Sequence, residues 1–530
     1  MTVIQAPKQI AKKKNLTCFV YLLAAIKFIF PFLLQNAIYE PHRDEFLYLA
    51  EGHHLAWGYL EVPPVLSFFG WLTNMLGGSI FWIRIWPSLF GSFTYILVAR
   101  LILLFDGRRF ALLLGFLPFV LGYFVHVHFM LQPNFLDMFF WTLMAYGLVC
   151  YIKTGLPKWL YVAGIGLGLG LMSKYSVSFF ATGLLIGLLF TKERKLLLNK
   201  HFYFAMLLAF TIFSPNLLWQ WSHGFPFINQ AKELQQQQLQ KLSQAEFLRD
   251  QLLFNLPCIV IWFSGLYWLI FKVEGKPYRF VAVAVAVAFA ILLAGHGKGY
   301  YVMAAYPILF AFGAVYLERL TYGTYIYWRY VILSFALIVG CFMDTVMLPF
   351  LPPQQLATWY SNNAIFGKMG FLMWEDRKNH PLPQDFADML GWKEMTLKVA
   401  HVYHGFDDTT KIKTAIDCDN YGEGGAIDYY GRAENLASPF GHAASYLFWT
   451  PLSVFQTNDN FIMVSDYRAE IHEDFIKEFK SAKLVDSVTN PYAREFGSYI
   501  ILLQQPSQKF RKDWQAYYET LQQKTSSYHK

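Results

Sequence analysis

The sequence has 530 residues, 55% of them hydrophobic and 15% charged, with a mean hydropathy of +0.31 and a formal net charge of +8. A soluble chain carries about 25% charged residues, so the deficit excludes one large water-exposed globule and points to a bilayer. Aromatic residues make up 19% of the chain, which fits, because Tyr and Trp favour the membrane interface.

Apolar stretches long enough to cross ~30 Å of hydrocarbon as helix fall near 16–36, 80–105, 110–128, 133–152, 159–172, 175–190, 202–221, 252–271, 280–295, 303–317 and 327–349. About eleven transmembrane helices are therefore expected. The two Gly-rich stretches around "VAGIGLGLGLM" are short, and small residues there would let neighbouring helices approach closely. Alternate connectors concentrate cations: Lys12–Lys14, Arg108–Arg109, Lys153 and Lys158, Lys192 to Lys200, Lys272 to Arg279, and Arg319 with Arg329. The excess of Lys and Arg marks the cytoplasmic side. It predicts a cytoplasmic N-terminus and, after an odd number of spans, an external C-terminal part. The positive net charge is this bias, not a nucleic-acid surface. The basic start and first apolar run lack a small-residue cleavage site and read as an uncleaved helix.

Beyond about Leu351 charges return, and apolar runs shorten to strand length ("FIMVSD", "SYIILLQ") between turn signals such as "DNYGEGG". The expected organisation is a transmembrane domain over 1–350, with a first outer loop at about 37–79, and a soluble α/β domain over 351–530 on the outer face. A Gln-biased patch, "QQQQLQKLSQ" at 235–244, reads as an amphipathic helix beside the membrane. Cys18, Cys150, Cys258 and Cys341 fall in apolar spans and Cys418 stands alone, so neither a disulfide framework nor a paired-Cys metal site is expected.

The first outer loop, "YEPHRDEFLYLAEGHHLAWGYLEVPP" (39–64), gathers His42, Arg43, Asp44, Glu45, Glu51, His53, His54 and Glu61. Polar residues this close to hydrocarbon are expensive and are usually kept for function. The plainest reading of Asp44 is a helix cap; the functional one is a general base that takes a proton from a hydroxyl. Glu61 precedes two prolines, which forbid a helix running through it. It is either an interfacial carboxylate, or a metal ligand or acid near a donor phosphate, with His53, His54 and His223 as nitrogen donors, although their spacing matches no metal motif. Asp137 either caps the helix that begins at Pro133 or acts in catalysis. Lys174 and Lys298 are cations on the outer side, against the prevailing bias. They either snorkel to water or, with the Tyr300 and Tyr301 hydroxyls, hold a phosphate. No P-loop, dinucleotide fingerprint, HExxH or GxSxG is present, so no nucleotide cofactor is expected.

The islands "RDEFLYLAEGHHLAWGYLEVPPV", "QPNFLDMFFWTL", "GLGLGLMSKYS", "PNLLWQWSHGFPF", "GHGKGYYVMAAYPILFAFGA" and "DNYGEGGAIDYYGR", in this order, resemble the GT-C superfamily of membrane glycosyltransferases. The likeness is to the bacterial protein-mannosyltransferase-like and aminoarabinose-transferase-like group (glycosyltransferase families 39 and 83). The resemblance implies a GT-C fold and an inverting transferase in the bacterial inner (cytoplasmic) membrane. Such an enzyme moves a sugar from a polyprenyl-phosphate carrier to a lipid, glycan or protein acceptor on the outer face. It places Asp44, Glu45 and Asp137 in the catalytic centre, and Tyr48, Lys174, Lys298, Tyr300 and Tyr301 at the donor phosphate. Glu61 and His223 fall beside a divalent metal ion, the one candidate cofactor. A monomer is expected. The chain departs from aminoarabinose transferases at Val62, where they have Lys, and at Leu47, where they have Arg; both changes remove cations near the phosphate.

Three other classes make different demands. An oligosaccharide transferase would use a lipid-diphosphate donor. A transporter of lipid-linked sugars needs ionisable residues at mid-membrane and paired broken helices, whereas the charges read here sit at the span ends. A glycan-binding scaffold would not need acidic residues in the first loop.

Overall fold

The chain is described from a computed structural model that covers residues 5–237, 239–465 and 473–526. Among these residues seven helices are long and apolar enough to span a bilayer: Lys14–Leu34, Ile80–Leu104, Pro133–Thr154, Lys200–Ser222, Lys276–Ala294, Gly299–Leu320 and Gly323–Met347. An eighth is broken, Gln244–Phe254 followed by Leu256–Phe271 at 60°. Pro257 lies at the break and denies the second segment a backbone donor. Three shorter apolar helices, Arg109–Phe119, Lys158–Leu171 and Val177–Leu189, occupy the remaining predicted stretches.

The chain divides into two compact units. The first comprises 1–34, 84–218 and 231–348 and holds the spanning helices. Its glycines set helix spacing: Gly164 and Gly168 of Lys158–Leu171 lie against Ala205 and Ala209 of Lys200–Ser222, and a methyl on Gly168 would come within 2.8 Å of Ile212. This is the close approach that small residues permit where lipid supplies no hydrophobic drive. Lys27, well inside Lys14–Leu34, is fully buried, and so is Arg84 near the start of Ile80–Leu104. The expectation that charges keep to the span ends therefore fails at Lys27.

The second unit comprises 35–83, 219–230 and 349–530. It carries a five-stranded mixed sheet of order β2-β1-β3-β5-β4, built from β1 (Thr414–Cys418), β2 (Pro439–Phe440), β3 (Asn460–Ser465), β4 (Phe479–Ser487) and β5 (Tyr499–Pro506). β1 runs parallel to β2 and β3, whereas β5 is antiparallel to β3 and β4. The described part of "FIMVSD" (461–465) falls in β3 and "SYIILLQ" meets β5, with β3 buried throughout as a central strand should be. One core gathers Phe440, Phe455, Phe461, Phe479 and Phe510 with Tyr518 of the C-terminal helix Gln508–Ser526. All five cysteines are free. The Gln-biased patch is not one helix: the helix Pro226–Gln237, a 3₁₀ turn Leu239–Lys241 and the helix beginning at Gln244 share it.

"DNYGEGG" is not a turn. It opens the helix Tyr421–Tyr430, capped by Asn420, whose side chain accepts from the Gly422 and Glu423 amides, with Glu423 answering as the other half of a capping box. The glycines serve packing. The first-loop helix Arg43–Glu51 crosses here, and a methyl on Gly425 would meet the Phe46 Cβ at 2.6 Å and its carbonyl carbon at 2.8 Å. Neither atom can swing away. Gly425→Ala should therefore destabilise the protein by about 1–3 kcal/mol, the usual range for overpacking, read as a lowered thermal unfolding midpoint of the purified chain. An unchanged midpoint would mean the two helices do not meet this closely.

Candidate active site

The helix Arg43–Glu51 is started by His42, not by Asp44. His42 Nδ1 accepts the Asp44 amide at 3.1 Å, and the His42 amide donates to Glu45 Oε2 at 2.7 Å. Glu45 is fully buried in this reciprocal cap. His42 Nε2 faces Asp385 and Asp388, each at 3.7 Å. Burial would lower the His42 pKa, but Asp385, Asp44 and Asp388 together raise it to about 9. Full protonation would leave the Asp44 amide without its acceptor, so the cap and the imidazolium compete.

Asp44, Tyr48 and Glu51 follow at i, i+4 and i+7 and so share one helix face. Asp44 Oδ1 accepts the Tyr421 hydroxyl at 2.9 Å, and the Arg43 guanidinium lies over the Tyr421 ring at 4.5 Å. Burial, then Asp44, raises the Tyr421 pKa well above the ordinary phenol value, which keeps it a donor. Tyr48 is held protonated in the same way, by burial and then by Asp44 and Glu51.

Glu51 is fully buried, with Ser67 donating to one carboxylate oxygen while the other, Oε1, has no other donor than the proton it can share with Glu61. Glu61 takes the Ser445 hydroxyl at 2.7 Å on Oε2; its buried Oε1 has no other donor than the proton it can share with Glu51. Burial and then the neighbouring Glu61 raise the Glu51 pKa well above the usual range; burial raises that of Glu61. Two buried carboxylates this close cannot both ionise without a compensating charge. Glu61 does precede a proline-initiated helix, Pro64–Met75.

The other predicted residues form a separate cluster in the first unit. Asp137 lies inside Pro133–Thr154, whose N-cap is Gln132, so it does not cap that helix. Its Oδ2 accepts from Ser176 at 2.9 Å and lies 3.8 Å from Lys174 Nζ. Lys174 donates to Asn134 at 2.7 Å and stands 4.8 Å from the Tyr301 ring centroid. Burial lowers the Lys174 pKa, with Asp137 opposing. Tyr300 packs edge-on against Tyr301, and Lys298 is the N-cap position of the 3₁₀ turn Gly299–Ala305.

His223 Nδ1 is engaged by the Trp219 carbonyl at 2.8 Å, and its ring stacks on Trp219. His53 sits 3.2 Å from an Arg432 nitrogen, and His54 stacks on Trp449. Among the described residues the one group of three metal-capable side chains is His42, Asp385 and Asp388, which includes neither Glu61 nor His223. That group fits a metal poorly: with Nδ1 accepting a backbone amide, the neutral ring carries its proton on Nε2, and Arg494 already bridges to Asp388 at 3.3 Å. The facing Glu51 and Glu61 carboxylates suit a hard divalent cation better.

Reading the sequence missed Glu51, Tyr421, Ser67 and Ser445 as site residues. Glu51 was within reach through its i, i+7 spacing from Asp44. Tyr421 and Ser445, more than 370 positions away, had no local signal.

The raised Glu51 pKa fixes a sign. The folded chain keeps a proton that the unfolded chain releases, so stability falls as pH rises above the ordinary glutamate value of 4.5. Glu51→Gln removes that loss. Its unfolding midpoint should exceed the wild-type value above neutral pH and converge with it towards pH 4.5; a pH-independent difference would refute the shift.

Compared with known proteins, residues 61–219 match the family described as dolichyl-phosphate-mannose-protein mannosyltransferase. No curated protein matches the sequence. The fold is similar to that of ArnT from Cupriavidus metallidurans bound to undecaprenyl phosphate, with TM-score 0.60 and 12% identity over 92% of this chain and 97% of that one. Against the apo state of the same protein the TM-score is 0.61, again at 12% identity, over 92% and 98%. The chain carries the spanning helices of a polytopic membrane protein and shares its fold with these structures.

Proposed function

We propose that this protein transfers a sugar from a polyprenyl-phosphate carrier to a lipid, glycan or protein acceptor at the outer face of the cytoplasmic membrane, with inversion at the anomeric carbon. The observation that carries the reading is the acidic face of Arg43–Glu51, where Asp44 sits beside a phenol held as donor. The family match and the fold shared with a protein that binds undecaprenyl phosphate support the donor class.

In this reading the acceptor hydroxyl attacks the anomeric carbon from the side opposite the phosphate. Asp44 takes the hydroxyl proton as the new glycosidic bond forms. The C–O bond to phosphate breaks, and its electrons leave with the carrier phosphate. Tyr421 and Arg43 position Asp44, and Glu45, committed to the helix cap, acts as a positioning residue. Lys174, balanced by Asp137, together with Lys298, Tyr300 and Tyr301, is assigned to the departing phosphate, where cations are most useful as charge develops. Tyr48, kept protonated on the helix face of Asp44 and Glu51, is a further donor assigned to the phosphate. A divalent cation held by Glu51 and Glu61 would supply further charge against the phosphate. His223 is then left to pack on Trp219. Leu47 and Val62 are buried and apolar, which removes the cations expected of an aminoarabinose transferase and favours a different sugar.

With purified protein and a synthetic polyprenyl-phosphate sugar, Asp44→Asn should lower the transfer rate by about 10²–10⁴ while the unfolding midpoint stays near wild type. Near-normal transfer would remove Asp44 from the role, and turnover with diphosphate carriers alone would replace the donor class. Chelation should depress the rate if Glu51 and Glu61 hold a metal; full activity in excess chelator would dismiss it.

A further inference from the structure

The first unit holds a cavity of about 1050 Å³ walled by the ends of several apolar helices. It lies between Asn15 and Leu16 near the start of Lys14–Leu34, the connector after Ile80–Leu104, and the turn joining Gly299–Leu320 to Gly323–Met347. Four arginines line it: Arg108, Arg109, Arg319 and Arg329. None of its lining residues belongs to either cluster described above.

The acidic residues of this wall do not cancel the cations. Glu318 accepts the Arg108 and Ala111 amides at 2.6 and 3.1 Å, so its charge is committed to the start of the helix Arg109–Phe116. Asp106 is left against four guanidiniums. Arg319 spends one donor on the Phe105 carbonyl, and Arg329 spends two, on Thr321 and the Glu318 carbonyl. A guanidinium has five N–H donors, so both keep donors for a ligand. The side chains of Arg108 and Arg109 are exposed, and among the described residues neither makes a hydrogen bond or ion pair.

The same helix turn borders a second cavity of about 630 Å³, almost wholly apolar, lined by Leu317, Leu320, Thr321, Trp328 and Phe335 among others. The Arg329–Thr321 hydrogen bond, 3.1 Å, joins a residue of one wall to a residue of the other. A basic basin at the level where spans end, beside an apolar groove on the same two helices, matches a molecule that carries a phosphate on hydrocarbon tails.

We propose that this cavity binds the phosphate headgroup of an anionic membrane phospholipid, with Arg108 and Arg109 as its principal ligands. The chemistry is bidentate guanidinium–phosphate hydrogen bonding. This lipid is distinct from the sugar donor, and the site would act as an anchor for the bundle.

The test is native mass spectrometry of the full chain in detergent, mixed with phosphatidylglycerol or with phosphatidylcholine. Phosphatidylglycerol adducts should survive preferentially in the wild type. The double variant R108Q/R109Q should weaken them about thirtyfold, at roughly tenfold per 1.4 kcal/mol and about 1 kcal/mol per surface cation. R108K/R109K, which keeps both charges, should retain part of the preference and shows that the fold survives. Equal retention of both lipids, or an unchanged preference in R108Q/R109Q, would overturn the proposal. Displacement of the lipid by excess inorganic phosphate would reassign the cavity to a free anion. Sugar transfer measured alongside keeps this outcome separate from the donor assignment, since neither arginine is placed at the reacting groups.

Discussion

Two helices far apart in sequence touch backbone to backbone where glycine removes the side chains between them, and the geometry of the acidic face follows from that contact. Gly422 leaves room for the Arg43 stem and Gly425 for Phe46. The crossing brings Tyr421 within hydrogen-bond distance of Asp44 and leaves the Arg43 guanidinium over the Tyr421 ring. Larger residues would push the helices apart by more than a hydrogen bond tolerates. The packing link and the chemical link are therefore one requirement.

Electrostatics then separates the carboxylates by what surrounds them. Glu45 is satisfied by a backbone amide and Asp44 by a phenol, whereas Glu51 and Glu61 are left facing each other, with only a shared proton between them. Two buried carboxylates this close are costly when both are ionised. A shared proton relieves part of the cost. A cation, or a ligand hydroxyl, would relieve more. His42, by contrast, has Nδ1 committed to the Asp44 amide and Nε2 3.7 Å from each of two aspartates, which makes it the start of the helix and not a ligand.

Much of this was legible in the sequence, and the failures have physical causes. Each predicted apolar stretch coincides with an apolar helix, although among the described residues only seven, or eight with the bent pair, are long enough to cross a bilayer. The prolines at 64 and 133 correctly marked helix starts, because their fixed φ suits the first helical position. The cap at His42 was not legible, since histidine is no ordinary N-cap and Asp44 looked the better one. "DNYGEGG" looked like a turn because glycine usually marks a bend; here the partner helix demanded glycine inside a helix. Lys27 escaped notice because one cation in an apolar run is tolerated when the bundle buries it. For Asp137 and Lys174 the sequence offered two isolated polar residues, and the fold makes them a pair at 3.8 Å.

The Asp137–Lys174 pair also bears on how a phosphate could be held near hydrocarbon. Burial disfavours the charged form of a lone ammonium and lowers the Lys174 pKa. Asp137 opposes that loss, and Asn134 and the Tyr301 ring supply a neutral acceptor and a π face that do not cancel the cation outright. At 3.8 Å, and with Ser176 already donating to the same carboxylate oxygen, the ion pair is incomplete. An arriving phosphate would compete with Asp137 for a cation already desolvated and positioned. The energy of desolvation is then met by folding and not by binding, which is what preorganisation means in a site of this kind.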